Sequence, residues 1–284
     1  MVVNRPIVVG IDGSDAALTS VRWAAVDAAR HGCPLHLVYA GVPEQDAPIS
    51  ADQAILRRDG DVVVKQATEA AIAAAAPVGT VDIETFVVDT PSISVLVDLS
   101  ENARLLVVGA GGHGPGVLGS VSSAVARRAH CPVAVIPATS VDSGAKPGPV
   151  VVGVDGSAYS TVAIQIAFDE ASSRSAELVA VHAWTRPMLH GTRPELEEEP
   201  EALLAANLAG YGERYPDVVV HRAVVEGYAV DHLIERAANA QLMVLGSHGR
   251  NALSAMIIGS TSQAVLDEIG CPTIIARPST GNRD

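Results

Sequence analysis

The chain repeats itself. Residues 7–14 read IVVGIDGS, and residues 150–157 read VVVGVDGS, 143 positions later. The same offset carries LHLVYA (35–40) onto LVAVHA (178–183). An offset of 137 carries RLLVVG (104–109) onto QLMVLG (241–246). An offset of 140 carries GSVSSAV (119–125) onto GSTSQAV (259–265) and CPVAVIP (131–137) onto CPTIIAR (271–277). Chance likeness between two Val-rich segments explains one such match. Three in the same order, with small length changes between them, require an internal duplication. The length changes fall after Ala40 and within a glycine-rich loop.

Each copy alternates short apolar runs with helical stretches. The runs in the first copy lie near 6–11, 34–40, 81–88, 104–109 and 132–137. They are β-branched and apolar on both faces, as strands buried in a parallel sheet must be. Leu18, Val21, Ala25 and Ala28 put an apolar stripe on the first helix, and Thr161, Ile164, Phe168 and Ala171 are its expected counterpart. Ala-rich residues 66–76 suit the second helix. Pro91 is expected in the first turn of the third, where its missing N–H costs nothing. Strand–helix alternation implies right-handed crossovers. The expected fold is α/β: two tandem, doubly wound, Rossmann-like domains, each on a five-stranded parallel sheet. The Gly- and Pro-rich segment 138–149 reads as the linker, giving domains at 1–140 and 147–284.

Aromatics are 3% of the 284 residues, so the cores must be built from Val, Ile, Leu and Ala. A net charge of −13 repels phosphate backbones, which argues against nucleic-acid partners. The acidic run Glu195–Glu199 reads as a solvated helix start. Cys33, Cys131 and Cys271 offer neither a disulfide framework nor metal-ligand spacing, which points to a reducing compartment. With no secretory leader and no apolar run of membrane-spanning length, a cytoplasmic location without membrane contact is expected.

Open parallel sheets bind ligands beyond the carboxyl ends of their strands. After the fourth strand of the second copy come Gly246-Ser247-His248-Gly249, nine further residues, Gly259-Ser260 and a helix to about Gly270. Glycines let backbone N–H groups approach an anion, and a helix N-terminus favours phosphate. Ser260, Thr261 and Ser262 add hydroxyl donors, and Arg250 follows the loop. His248 and His113 sit in the two glycine loops, within reach of a phosphate there.

Gly246-x2-Gly249-x9-Gly259-Ser260 resembles the ATP-binding signature of universal stress proteins. VGVDGS at 152–157, HAW at 182–184 and CPTIIARP at 271–278 are similar to the same family. The match covers both copies and is nearest the tandem form found in mycobacteria. It implies an adenine-nucleotide α-hydrolase-like domain in each copy, ATP bound with Mg2+ through the phosphates, and a role in stress or dormancy adaptation. It also implies that the two copies pair as an intrachain pseudo-dimer through their last strands, and that whole chains associate as a homodimer. Carried over by position, Gly153, Val154, Asp155, Ala183 and Leu245 join the glycine loop in the second site. In the first copy the set is Gly10, Ile11, Asp12, Ala40, Val108, Gly109, Gly112, Gly119, Ser120, Val121 and Ser122. The resemblance places Asp155 and Asp12 beside the adenosine half of the nucleotide. The residues themselves leave a second reading open, in which Asp-Gly-Ser only turns the chain and caps a helix.

The first copy departs from the signature. Gly109 to Gly119 spans ten positions, against thirteen from Gly246 to Gly259, and His113 stands in place of Arg250. The second copy is expected to bind ATP. The first either still curls around a phosphate or is too tight to do so. Gly114-x-Gly116-x-x-Gly119 matches the dinucleotide fingerprint but follows the fourth strand rather than the first, with no acidic residue ending the next strand. There is no Walker loop, zincin helix or nucleophile elbow, so ATP is expected to act as a bound signal with at most weak hydrolysis. His36 and His182, on the second strands, read as satisfied core or edge histidines. The competing reading is a scaffold that binds no nucleotide and works through protein–protein contacts.

Overall fold

The computed structural model describes residues 4–40, 49–111, 118–140, 148–185, 199–249, 258–268 and 270–278, with side chains from residue 59 onward in the helix that begins at 49. The chain divides into two compact units, the first running to Lys146 and the second spanning Pro147–Arg277.

Domain 1 comprises β1 (Ile7–Ile11), α1 (Asp15–His31), β2 (Leu35–Ala40), α2 (Ile49–Ala75), β3 (Ile83–Val88), α3 (Ser92–Ser100), β4 (Leu105–Gly109), α4 (Ser120–Arg128) and β5 (Val133–Ile136). All strand pairings are parallel, in the order β3-β2-β1-β4-β5. Ile7 is registered with Leu35 on one side and Leu105 on the other. Ile7, Val9, Leu35, Leu37, Leu106 and Val107 are fully buried. Helices α1 and α2 pack together on one face, and α3 and α4 pack together on the other. Covering both faces is what allows the strands to be apolar throughout.

The ends of α1 follow from its flanking residues. Ser14 Oγ accepts from the Ala17 N–H at 3.2 Å, Asp15 complements the helix dipole, and Arg30 and His31 do so at the other end. Gly32 then stops the helix in the left-handed region at φ 58°. Pro91 lies one position earlier than expected: it is the N-cap of α3, and the helix begins at Ser92.

Domain 2 repeats the plan with β6 (Val150–Gly153), α5 (Ala158–Ser173), β7 (Leu178–Trp184), α6 (Pro200–Asn207), α7 (Tyr211–Arg214), β8 (Val220–Glu226), α8 (Ala229–Ala237), β9 (Leu242–Gly246), α9 (Ser260–Glu268) and β10 (Thr273–Ala276). Its parallel order, β8-β7-β6-β9-β10, is that of domain 1. Each domain therefore has the doubly wound parallel sheet that its alternating pattern required. Glu199, the last residue of the acidic run, is the N-cap of α6; the rest of that run lies outside the described residues.

The copies differ most after their second strands. Where domain 1 has the single helix α2, domain 2 has α6 and α7, separated at Gly210 with φ 82°. Phe168 of α5 stacks on Tyr211 at 4.8 Å and on Tyr215 at 5.4 Å, and the Tyr215 hydroxyl donates to Asp169. The expected stripe on α5 needs one correction. Ile164, Phe168 and Ala171 are buried, but Thr161 is exposed, its hydroxyl donating to the Ser157 carbonyl at 3.3 Å. The buried face runs instead through Ser160, Ala163, Ile164, Ala167, Phe168 and Ala171.

No helix among the described residues is long and apolar enough to cross a membrane.

Candidate functional site

In each domain the order of strands reverses between the first and fourth, so a crevice opens beyond their carboxyl ends. Domain 1 has a cleft of about 270 Å³ there. Ten of its eleven expected site residues line it: Gly10, Ile11 and Asp12 from the end of β1, Ala40 from β2, Val108 and Gly109 from β4, and Gly119, Ser120, Val121 and Ser122 from the start of α4. The eleventh, Gly112, lies outside the described residues, as does His113.

The turn after β1 resolves the two readings of Asp12 in part. Asp12 Oδ1 accepts from the Ser14 N–H at 2.9 Å, while Ser14 caps α1. Gly13 between them, at φ 84°, takes a conformation that side chains disfavour. The turn is thus built by Asp12, yet the residue stays exposed and lines the cleft. Domain 2 has the same device: Asp155 Oδ1 accepts from the Ser157 N–H at 2.9 Å, Ser157 Oγ accepts from the Ser160 N–H at 3.1 Å, and Gly156 has φ 80°.

The start of α4 forms another side of the cleft. Gly119 offers no side chain to cap it, and a helical hydrogen bond is made by the Ser123 N–H to the Gly119 carbonyl at 2.9 Å. The amides of Ser120, Val121 and Ser122 therefore have no partner within the helix. In domain 2 the Gln263 N–H bonds Gly259 O at 2.9 Å, leaving the amides of Ser260, Thr261 and Ser262 in the same position. The hydroxyls of Ser122 and Ser262 have another role. They donate back to the carbonyls of Gly109 (2.5 Å) and Gly246 (2.7 Å), fastening each helix to the end of its fourth strand.

The described ends of the first loop approach each other more closely than those of the second. A Cβ on Gly119 would lie 1.8 Å from the Gly111 carbonyl oxygen. Among the described residues, a Cβ on Gly259 would meet nothing nearer than 3.5 Å.

In domain 2, Gly153 and Gly246 end β6 and β9, with Val154 and Leu245 buried beside them. Gly153 gives room to Leu245, whose Cδ2 would be 2.8 Å from a Cβ there. Ala183 is half-buried near the end of β7. Gly249 lies against Asp155, with Oδ2 3.0 Å from where its Cβ would stand. Arg250 lies outside the described residues. His182 is buried, with Nδ1 2.8 Å from the Val154 carbonyl, as a satisfied core histidine; His36 is half-buried against Phe86 and 3.5 Å from Glu84. His248 is 5% exposed; its ring packs against Tyr159 at 4.8 Å, with Nδ1 3.0 Å from Ser247 Oγ.

Sequence reasoning missed Ser14, Ala16, Ala17, Val38, Ser92, Leu96 and Gly111, which also line the first cleft. Ser92 and Leu96 begin the helix after β3, so extending the strand-end rule to the third strand finds them.

The model of the universal stress protein family matches residues 4–137 and 148–277, one match per copy. The chain belongs to the universal stress protein family. Two relatives in the family, the universal stress proteins Rv2623 and Rv2005c of Mycobacterium tuberculosis, are each 40% identical to it. The alignments cover 96% of this chain and 96% and 97% of those proteins. A solved universal stress protein from Archaeoglobus fulgidus superposes with a TM-score of 0.71 over 98% of this chain and 97% of its own, at 17% identity. That likeness shows that the fold extends over the whole chain.

Proposed function

We propose that this chain binds ATP in the crevice of each domain and serves in stress or dormancy adaptation, with the bound nucleotide acting as a signal. The observation that carries the reading is the junction in domain 1, where the uncapped amides of Ser120, Val121 and Ser122 share a cleft with Asp12. The two ends suit opposite halves of a nucleotide. Helix-terminal amides favour the phosphates, and a carboxylate accepts from ribose hydroxyls or a base amine. The apolar wall from Ile11, Val38 and Val108 suits a base. The volume of about 270 Å³ lies near the lower end of small-molecule pockets, roughly 300–1,000 Å³, and suits a nucleoside whose phosphates run on along the glycine loop.

In domain 2 the corresponding set is Asp155, Val154, Ala183, Leu245, Gly246, Gly249, Arg250 and the first turn of α9. With a net charge of −13, the protein has no global field to attract a triphosphate. Mg2+ carried on the phosphates lowers that barrier. Asp12 is the sole titratable group among the described lining residues of the first cleft, and its Oδ1 already holds the turn. With no positioned general base there, hydrolysis is slow at most.

The test is to purify the full chain without added ligand, denature it and assay the supernatant for adenine nucleotide. Released ATP at up to two per chain supports the reading. A chain that releases none, and takes up none from millimolar Mg-ATP, is instead a scaffold acting through protein contacts.

A further inference from the structure

The turn from β8 into α8 differs from its counterpart in domain 1, and the difference sets an aromatic ring beside the second crevice. Gly227 has φ 136°, and a side chain there would meet His232 Nε2 at 2.9 Å. The same nitrogen lies 3.2 Å from the Glu226 carbonyl. The Gly227 N–H donates to the carbonyl of Trp184, the last residue of β7, at 2.9 Å. The backbone just before Tyr228 is thus held at two atoms. Its side chain is nonetheless 76% exposed, the most exposed of the large hydrophobic side chains among the described residues.

The position of Tyr228 gives the exposure a meaning. Ser92 and Leu96 at the start of α3 line the cleft of domain 1. Their counterparts, 137 positions on, are Ala229 and Leu233 at the start of α8. Leu233 lies 3.7 Å from the Cβ position of Gly153, so α8 enters the second site as α3 enters the first. Tyr228 immediately precedes Ala229 at that rim, on a turn bonded to the strand that carries Ala183. Domain 1 has Pro91 at the equivalent position, and Gly41 where domain 2 has Trp184. Tyr228 thus gives the second rim an aromatic ring where the first has a proline.

We propose that Tyr228 is the base-stacking side chain of the second site, closing over the face of a bound nucleobase and making domain 2 the more selective of the two for base-bearing ligands. This rests on the nucleotide reading above. A ring over a ring favours any planar base and contributes nothing to a bare phosphate chain. Pro91 offers the first site no comparable face.

The experiment is calorimetric titration of the full chain and its Tyr228→Ala, Tyr228→Phe and Pro91→Ala variants with Mg-ATP and with inorganic triphosphate. Tyr228→Ala should weaken one ATP site about tenfold, the size of a lost base–aromatic stack. Triphosphate binding should stay unchanged, Tyr228→Phe should keep wild-type affinity, and Pro91→Ala should change neither. Trp184 gives a second readout. In a Trp23→Phe background, its emission should respond to ATP less in the alanine variant. Wild-type ATP affinity in Tyr228→Ala overturns the stacking role while leaving the nucleotide reading intact. Equal losses for ATP and triphosphate overturn it as well, because the residue then only shapes the turn. Failure of the wild-type chain to bind ATP at all removes both.

Discussion

Replacing Gly119 with alanine should damage the first site, whereas the same change at Gly259 should be tolerated. The two glycines are equivalent in sequence, each opening the helix after the fourth strand. A Cβ on Gly119 would stand 1.8 Å from the Gly111 carbonyl oxygen and 3.0 Å from its carbon. Contacts below 3.0 Å do not persist, so the two segments must part by about 1 Å or more. The Gly119 N–H also bonds the Ala110 carbonyl at 3.3 Å, so the strain falls on the hinge of the glycine loop. Overpacking of this kind costs about 1–3 kcal/mol. At Gly259 the nearest atoms among the described residues are at 3.5 Å, leaving only the modest disadvantage of alanine as an N-cap, about 0.5 kcal/mol. Hydrogen exchange followed by mass spectrometry reads the difference directly. Amides from β4 to the start of α4 should exchange faster in Gly119→Ala, with no matching change in β9 and α9 of Gly259→Ala. Calorimetry with Mg-ATP should show one of two sites weakened about tenfold in the first variant only, since 1.4 kcal/mol corresponds to a factor of ten. Equal effects of the two substitutions would refute the claim that the ends of the first loop are the more closely packed.

The Tyr215 phenol is pushed up to about 12 by burial, by its bond to Asp169 and by that carboxylate's charge. A pKa raised on folding means stability that is complete below pH 10 and is lost as pH climbs from about 10 through 12. Tyr215→Phe should cost about 1 kcal/mol at neutral pH and flatten the alkaline fall of the urea midpoint; an unchanged fall would show that another group titrates there. Ser14→Ala and Ser157→Ala should each cost about 1 kcal/mol by removing a helix cap, and the double variant should lose the sum. Urea midpoints unmoved by either change would mean that Asp12 and Asp155 hold those turns alone.

The strands were legible because a buried parallel strand must be apolar on both faces, and runs such as LLVVG and LMVLG have few other uses. The crevice was legible because its position follows from strand order and its walls from glycines at strand ends. The misses share a cause. The outward face of Thr161 is a matter of helical phase, decided by which of Ser160 and Thr161 the sheet side takes, and a hydroxyl satisfied by the Ser157 carbonyl can lie on either. The packing of His248 on Tyr159 is equally hidden, because Tyr159 comes from the first turn of a helix far back in the chain. In domain 1 the residue at that position is Ala16, so the repeat itself gave no warning. The stack of Phe168, Tyr211 and Tyr215 likewise joins segments some forty residues apart, beyond the reach of any local pattern.

The central claim is that uncapped amides at the starts of α4 and α9, opposite Asp12 and Asp155, form cradles for a triphosphate. Titration of the nucleotide-stripped full chain with Mg-ATP, followed by the 31P resonances of the ligand, tests it most directly. Saturable shifts of the β- and γ-phosphate signals at two equivalents per chain are predicted. Free-ligand resonances that persist unshifted from the first addition, with the protein at millimolar concentration, would contradict it.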